Sequence, residues 1–296
     1  MKDEITIAQA LNGRVRIHAA RTTQLVQSGA DAHHCMPTSA AALGRTMTAT
    51  AIMASDLKST HEHITASING HGPAGTILAQ ADGEGNVRGF IGDPNLYLVR
   101  EDGHLAVGAA VGTDGNLTVT RDMGLKDTFT GMSALQTGEI GDDFAYYFAI
   151  SEQTPSVVGV GVLVDPDGSI KAAGGLIYQL LPGADEEAIS YCEGVAARQK
   201  PVSELIESGM DLEEIIHMYF PDAEILAHKD VRWHCGCSRE SFRASLSTLH
   251  DDQLKEMVDD GKGAEIVCQF CSSRYFFDSA EIQKIRDEKK CGKSAM

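Results

Sequence analysis

Residues 5–20, ITIAQALNGRVRIHAA, hold two short apolar, β-rich runs on either side of Asn12-Gly13. Both turn residues tolerate positive φ, so the pattern predicts a hairpin. Residues 37–57 open on Pro37 and are rich in Ala, Met and Leu, which predicts a helix whose small side chains pack closely under a sheet. From 61 to 121 the pattern breaks into short runs: ITASI, GTILAQA, VRGFIG, LAVGAAVG and NLTVTRD. Asp82-Gly83, Asp102-Gly103 and Asp114-Gly115 mark turns between them, which predicts an antiparallel sheet. Residues 140–152 place aromatic and aliphatic side chains on one side of a predicted helix, and 156–181 predict two further strands around a turn at Pro166–Gly168.

After Pro182-Gly183 the period changes to helical. DEEAISYCEGVAARQK carries Ile189, Cys192, Val195 and Ala196 at helical spacing, PVSELIESG stops at Gly209, and Asp211 with Glu214 predicts a capping box for DLEEIIHMYF. Short, charged helices with narrow apolar stripes are marginal unless they dock. Three parts are therefore predicted: an α/β body over 1–182, a helical linker of conditional stability over 183–231, and a small module over 232–296. In the module, residues 251–258 and AEIQKIRDE, the latter capped by Asp278 and Glu281, predict short helices. The fold class is α+β, and a segment of this size with few hydrophobes needs a staple.

Composition adds limits. Hydrophobic content of 43% with 23% charged residues suits an ordinary folded protein of 296 residues. No apolar run of transmembrane length occurs, and the amino-terminal residues lack the basic and apolar regions of a signal peptide, so a cytoplasmic protein without membrane association is expected. The net charge is −17. Residues 228–296 hold 12 Lys+Arg against 12 Asp+Glu, which leaves 13 against 30 for residues 1–227. No basic face is evident, which argues against nucleic acid as a partner.

Four of the seven cysteines form two close pairs, Cys235-Gly-Cys237 and Cys268-Gln-Phe-Cys271. Four thiolates close a tetrahedral zinc site, and structural zinc would supply the staple. With all four positions filled by protein, zinc hydrolase chemistry is not expected. The Cys-x-Cys pair also permits a strained, reversible disulfide between Cys235 and Cys237, and Cys268 and Cys271 have the spacing of dithiol redox centres. The residues alone leave a structural zinc ribbon and a redox switch level.

The chain resembles the bacterial redox-regulated holdase chaperones, the thirty-three-kilodalton heat-shock protein family. The resemblance runs along the whole chain. It rests on the two cysteine pairs, on RTMTAT after AALG (Ala41–Thr50), on GEIGDDFAYYFAISEQTPSVVGVGVLV (138–164) and on AAGGLIYQLLPGA (172–184). It implies that the reduced form, with one Zn2+ per chain on Cys235, Cys237, Cys268 and Cys271, is inactive. It also implies that oxidation joins Cys235 to Cys237 and Cys268 to Cys271, that zinc leaves, and that the linker unfolds. The activated form would dimerise and bind unfolded or partly unfolded client proteins without ATP. No Walker-type phosphate loop appears, which agrees. The protein is then not an enzyme. A thiol-disulfide oxidoreductase and a zinc-ribbon adaptor are the alternatives; no thioredoxin-like βαβ context surrounds Cys268 and Cys271, and the charge is wrong for a nucleic-acid adaptor.

Exposure of apolar linker and body surface would bind clients, with Ile189, Val195, Leu205, Ile206, Leu212, Ile215 and Ile216 as candidates, although an apolar helix stripe more often serves packing. Cys35, after His33 and His34, reads as a loop cysteine, Cys192 as a small buried hydrophobe, and Cys291 as an exposed thiol among lysines. His234 is placed to tune the cysteine site, and Trp233 to pack the module. The glycine-rich GEGNVRGFIG and VGVGVLVDPDG read as turns and close strand packing rather than phosphate cradles.

Overall fold

The computed structural model describes residues 1–125 and 127–293, with side chains as far as Lys289. The chain divides into two compact units, one spanning Met1–His234 and the other beginning at Cys235. The predicted hairpin is β1 (Glu4–Ala10) and β2 (Val15–Arg21), turned by Leu11, Asn12 and Gly13 at φ +52°, +56° and +78°. Helix α1 (Thr23–His33) and the predicted central helix, α2 (Pro37–Ala54), follow. Every residue of α2 except Arg45 is buried, which is why its sequence is all small or apolar.

The second sheet is built from β3 (His63–Asn69), β4 (Ile77–Asp82), β5 (Asn86–Ile91), β6 (Asn116–Asp122) and β7 (Phe129–Ala134). Its strands pair antiparallel in the order β5-β4-β3-β6-β7. One expectation fails here. LAVGAAVG is not a strand: residues Val107–Val111 form a short helix, α3, between β5 and β6. A short buried helix and a buried strand give the same apolar run, and Val107, Ala110 and Val111 are fully buried.

Helix α4 (Gly141–Ser151), β8 (Ser156–Val164) and β9 (Ile170–Leu180) complete the motif-rich stretch. Asp143, fully buried, explains GEIGDDF. Its Oδ1 accepts from the backbone N–H groups of Gln136, Thr137 and Gly138, and its Oδ2 from Ile140, whose φ is +74°. One carboxylate thereby satisfies four amides at a helix entrance.

Residues 183–231 hold α5 (Glu186–Arg198), α6 (Val202–Glu207) and α7 (Leu212–Tyr219), the helices the sequence predicts, and then a strand it does not, β10 (Glu224–Asp230). The first sheet runs β10-β1-β2-β9-β8, antiparallel throughout. One core fills the space around α2; a second lies on the opposite side of the first sheet, under α5–α7. After β10 the chain crosses to the other sheet, where β11 (Arg232–Trp233) pairs parallel with β5.

Gly85 sits at this crossing, at φ +77°, and a Cβ there would lie 2.0 Å from the Asp230 carbonyl oxygen. Its own carbonyl accepts from Arg232 N–H at 2.9 Å. Gly85→Ala is expected to destabilise the body by about 2–3 kcal/mol and to release β11 from β5. Hydrogen exchange at Arg232 and His234 measures this; unchanged protection there would contradict it.

Asp3 lies beside the same segment. It is buried, its Oδ2 accepts from Leu25 N–H at the start of α1, and its carbonyl accepts from Val231 N–H. Burial raises its carboxyl from 3.8 to about 6 despite those backbone hydrogen bonds. The folded state therefore binds the proton more tightly than the unfolded state, and stability falls as pH rises between the two values. Above pH 6 the ionised Asp3 costs about 3 kcal/mol, so the stability advantage of Asp3→Asn should grow from near zero at pH 4 to about that size at pH 7. Urea titrations at the two pH values give the comparison, and a constant difference would refute it.

The second unit contains α8 (Arg239–Thr248), α9 (Asp251–Asp259), a hairpin of β12 (Ala264–Val267) and β13 (Arg274–Phe277), and α10 (Ser279–Lys293). Its buried core is Leu246, Leu254, Phe277, Ile282 and Ile285. Five core side chains among the described residues are few for an independently folding unit.

Candidate metal and redox centre

Cys235 and Cys237 precede α8, whose entrance is fixed by Ser238; its hydroxyl accepts from Ser241 N–H. Cys268 and Cys271 lie in the turn joining β12 to β13. Cys268 N–H donates to the Ser273 carbonyl at 2.9 Å, Ser272 N–H returns to the Cys268 carbonyl at 2.8 Å, and Ser272 takes φ +58°. This folds the Cys-x-x-Cys segment into a tight knuckle with both thiols on one side.

The four Sγ atoms lie within 4.8 Å of one another. Cys235 and Cys268 are 3.7 Å apart and Cys237 and Cys271 3.3 Å, so the short separations run across the two pairs. A tetrahedral zinc with bonds near 2.3 Å has sulfur–sulfur edges of about 3.8 Å. The donor set, its number and its spacing fit that ion. Cys268 is buried and the other three are half-buried.

Two neighbours were not foreseen. The Tyr275 hydroxyl lies 3.3 Å from Cys237 Sγ and donates to the Cys237 carbonyl at 3.3 Å; Ser273 Oγ lies 3.2 Å from Cys271 Sγ. Burial pushes the Cys235 thiol up and that of Cys237 up to about 12. Burial also opposes ionisation of Cys271, but hydrogen bonding with Ser273 and the adjacent thiols outweighs it and brings Cys271 down to about 7.

The remaining candidates fall elsewhere. Trp233, expected to pack the module, belongs to the body: it is in β11, beside Gly29 and Met47, and edge-on to His33 at 6.3 Å. Pairing with β5 decides its place, rather than its nearness in sequence to Cys235. The side chain of His234 is exposed, and its N–H donates to the Val87 carbonyl. Cys35 follows the α1 terminus, where His34 is left-handed at φ +53°, and burial raises its thiol to about 12. Cys192 is buried among Ile17, Tyr178 and Val195 in the second core, as expected, and burial raises its thiol to about 11. The side chain of Cys291 lies outside the described residues. The two glycine-rich stretches form turns and strands β5 and β8.

Of the linker candidates, Val195, Leu205, Ile206, Leu212, Ile215 and Ile216 are buried against the first sheet, and Ile189 is half-buried. Latches hold these helices. Arg14 pairs with Asp185, the N-cap of α5; Arg21 Nη2 donates to the Met210 carbonyl at 3.1 Å; and the Tyr191 hydroxyl donates to the Tyr219 carbonyl at 2.8 Å. No described helix is long and apolar enough to cross a membrane.

Set against known proteins, residues 3–278 match the family model described as Hsp33 protein. A 33 kDa chaperonin of Clostridium tetani is 46% identical over 288 residues, covering 96% of this chain and 98% of that one. Its counterpart in Bacillus subtilis is 43% identical over 288 residues, covering 97% and 99%. The crystal structure of the 33 kDa chaperonin from Thermotoga maritima superposes with a TM-score of 0.88 at 30% identity, over 98% of this chain and 99% of that one. The α+β fold with its terminal cysteine cluster is thus that of a known class, and the chain belongs to the Hsp33 family.

Proposed function

We propose that the protein is an ATP-independent holdase chaperone, inactive when reduced and activated by oxidation of its four clustered cysteines. One observation carries the reading: four sulfurs meet in a unit with a small described apolar core, and the chain entering that unit comes, by way of β10 and β11, from helices covering an apolar sheet face. The relatives' name, 33 kDa chaperonin, supports the chaperone part.

In the reduced form Cys235, Cys237, Cys268 and Cys271 hold one Zn2+, which keeps the sulfurs as thiolates and staples the module. Oxidation pairs Cys235 with Cys237 and Cys268 with Cys271. For each pair, two thiolates give two electrons to one peroxide, one S–S bond forms, the O–O bond breaks, and two protons from solvent complete the two waters that leave. The pairing consumes all four ligands, so zinc goes and the module loses its fold. The division into body (1–182), linker (183–231) and switch module (232–296) follows from these roles. Loss of the module frees α5–α7, and the apolar face of the first sheet with the inner faces of these helices becomes the client surface. The activated form is a homodimer acting in the cytoplasm on unfolding proteins, with no catalytic residues and no nucleic-acid or membrane partner.

The test measures zinc content and suppression of client aggregation before and after peroxide with mild heat. Zinc release together with a gain in protection is the expected result. Equal protection by the reduced, zinc-loaded form would overturn the reading, as would normal switching in Cys235→Ser.

A further inference from the structure

We infer that the free edge of β8 takes up an extended, apolar, basic-flanked segment of a client polypeptide as an added β-strand. This rests on the chaperone reading above and names how that client is held.

Strand β8 ends the first sheet and pairs only with β9. The phase of its hydrogen bonds follows from two contacts. Leu180 N–H donates to the Pro155 carbonyl, and Leu181 N–H to the Arg14 carbonyl. With the register Val157↔Tyr178, Gly159↔Leu176 and Gly161↔Gly174, these residues face their N–H and C=O groups into the sheet. Val158, Val160 and Val162 therefore aim theirs outward. Among the described residues, no hydrogen bond reaches the backbone of Val160 or Val162 from that side. An unpaired edge of this kind is a template for another strand.

The edge is accessible from Val160 onward, while at Val158 the carbonyl lies close against Gly141 at the start of α4. Val160–Val164 line a groove of about 470 Å³, with Leu105 and Pro201 on its walls. The linker hems it closely: a Cβ on Gly161 would lie 2.6 Å from Ser203 Oγ in α6, and one on Gly159 2.3 Å from Nε2 of Gln199 at the end of α5. Departure of the linker would widen the groove, which ties strand capture to activation.

Charge selects the occupant. Arg45 and Arg100, both on the groove, share the single carboxylate of Glu139 at 2.8 and 2.5 Å. Glu204 on the opposite wall has no ion pair among the described residues, and Asp102 adds a second carboxylate beside His104. Three carboxylates, Glu139, Glu204 and Asp102, thus stand against two guanidiniums, a small negative excess on a chain of net charge −17. A second copy meeting this groove edge to edge would set the same acidic rim against itself, whereas an apolar segment flanked by Lys or Arg is attracted.

The experiment uses the oxidised full-length protein and a fluorescent apolar peptide of about ten residues with lysines at both ends. Backbone N-methylation of alternate residues blocks one edge of the peptide and leaves the other for pairing, so affinity should hold within about threefold. Methylation at every residue blocks both edges and should cost at least about twentyfold. Val160→Pro and Val162→Pro remove outward N–H groups that β9 does not use, and each should weaken binding about tenfold, with Val160→Ala as the packing control. Replacing the flanking lysines by glutamates should weaken binding about fivefold at low salt, and the difference should vanish near 0.5 M. Equal affinity for the fully methylated peptide would overturn the inference, because apolar adhesion alone is blind to the backbone. That series uses the wild-type chain, so it decides even if the proline variants fail to fold. Loss of client protection by the oxidised wild type would instead overturn the chaperone reading; protection retained with no effect of methylation overturns the edge assignment alone.

Discussion

Cys268→Ser should leave the second unit unfolded while the body stays folded. On the proposed reading, zinc content should fall from one per chain to near zero, and residues from Cys235 onward should lose hydrogen-exchange protection. The physical reason is the small core, Leu246, Leu254, Phe277, Ile282 and Ile285. A described core this small is too little apolar burial to order a unit of this length without a staple. A four-thiolate zinc contributes about 10–16 kcal/mol of apparent binding energy, which is the margin that keeps such a unit folded. Cys268 is the buried member of the four, and its amide anchors the knuckle through Ser273, so serine there removes a ligand where water cannot easily substitute. A Cys268→Ser protein whose second unit remains protected without metal would contradict this account.

Ile215→Asp should make the reduced, zinc-loaded protein protect clients without any oxidant. Ile215 is fully buried between α7 and the first sheet, in the core that includes Ile17, Leu176 and Tyr178. A carboxylate there has no partner, and an unpaired buried charge costs several kcal/mol, more than a short helix gains by docking. The linker is then released with the cysteine site intact. Zinc content should be unchanged, proteolysis within 183–231 should accelerate, and client aggregation should fall to the level given by oxidised wild type. Ile215→Ala, with a cost of about 2–5 kcal/mol, should show partial activity. If Ile215→Asp releases the linker yet the reduced protein stays inactive, exposure of this face is not what activates the chaperone.

What could be read from the residues was local. The hairpin at Asn12-Gly13, the small-residue helix α2 and the capping box Asp211–Glu214 each carry their cause within a few positions, and each is present. The cluster of four cysteines was legible from the spacing within each pair and the ligand count of a tetrahedral metal, although the contacts that close it run between the pairs. Misreadings arose where distant pairing decides. LAVGAAVG is apolar because it is enclosed by the loop at Gly70–Gly72, whose amide at Gly72 donates to Val111, and not because it joins a ladder. EILAHKD alternates between exposed and half-buried positions, the weak pattern of an edge strand, and its partner β1 lies at the other end of the body sequence. Trp233 followed β5 rather than the cysteine beside it. Tyr275 and Ser273 reach the sulfurs through the β12–β13 turn, which no periodicity announced.

The path of the chain from α7 to Cys235 sets an order of release. Residues 224–233 are stitched first to β1 and then to β5, so a disordering that begins at the module meets two rungs on β5 before it meets β10. Strand β10 lies on an outer edge and is bound to β1 from Asp230 back to Glu224. Freed from its carboxy-terminal end, such a strand peels one hydrogen bond at a time, like a zip, and never has to break its bonds together as a sheared strand does. Each step costs little, and α7 is reached only after the last tooth opens. On the proposed switch the seam would act as a graded fuse: brief loss of module order would fray β11 and the end of β10 and close again, and only sustained loss would run through to the helices.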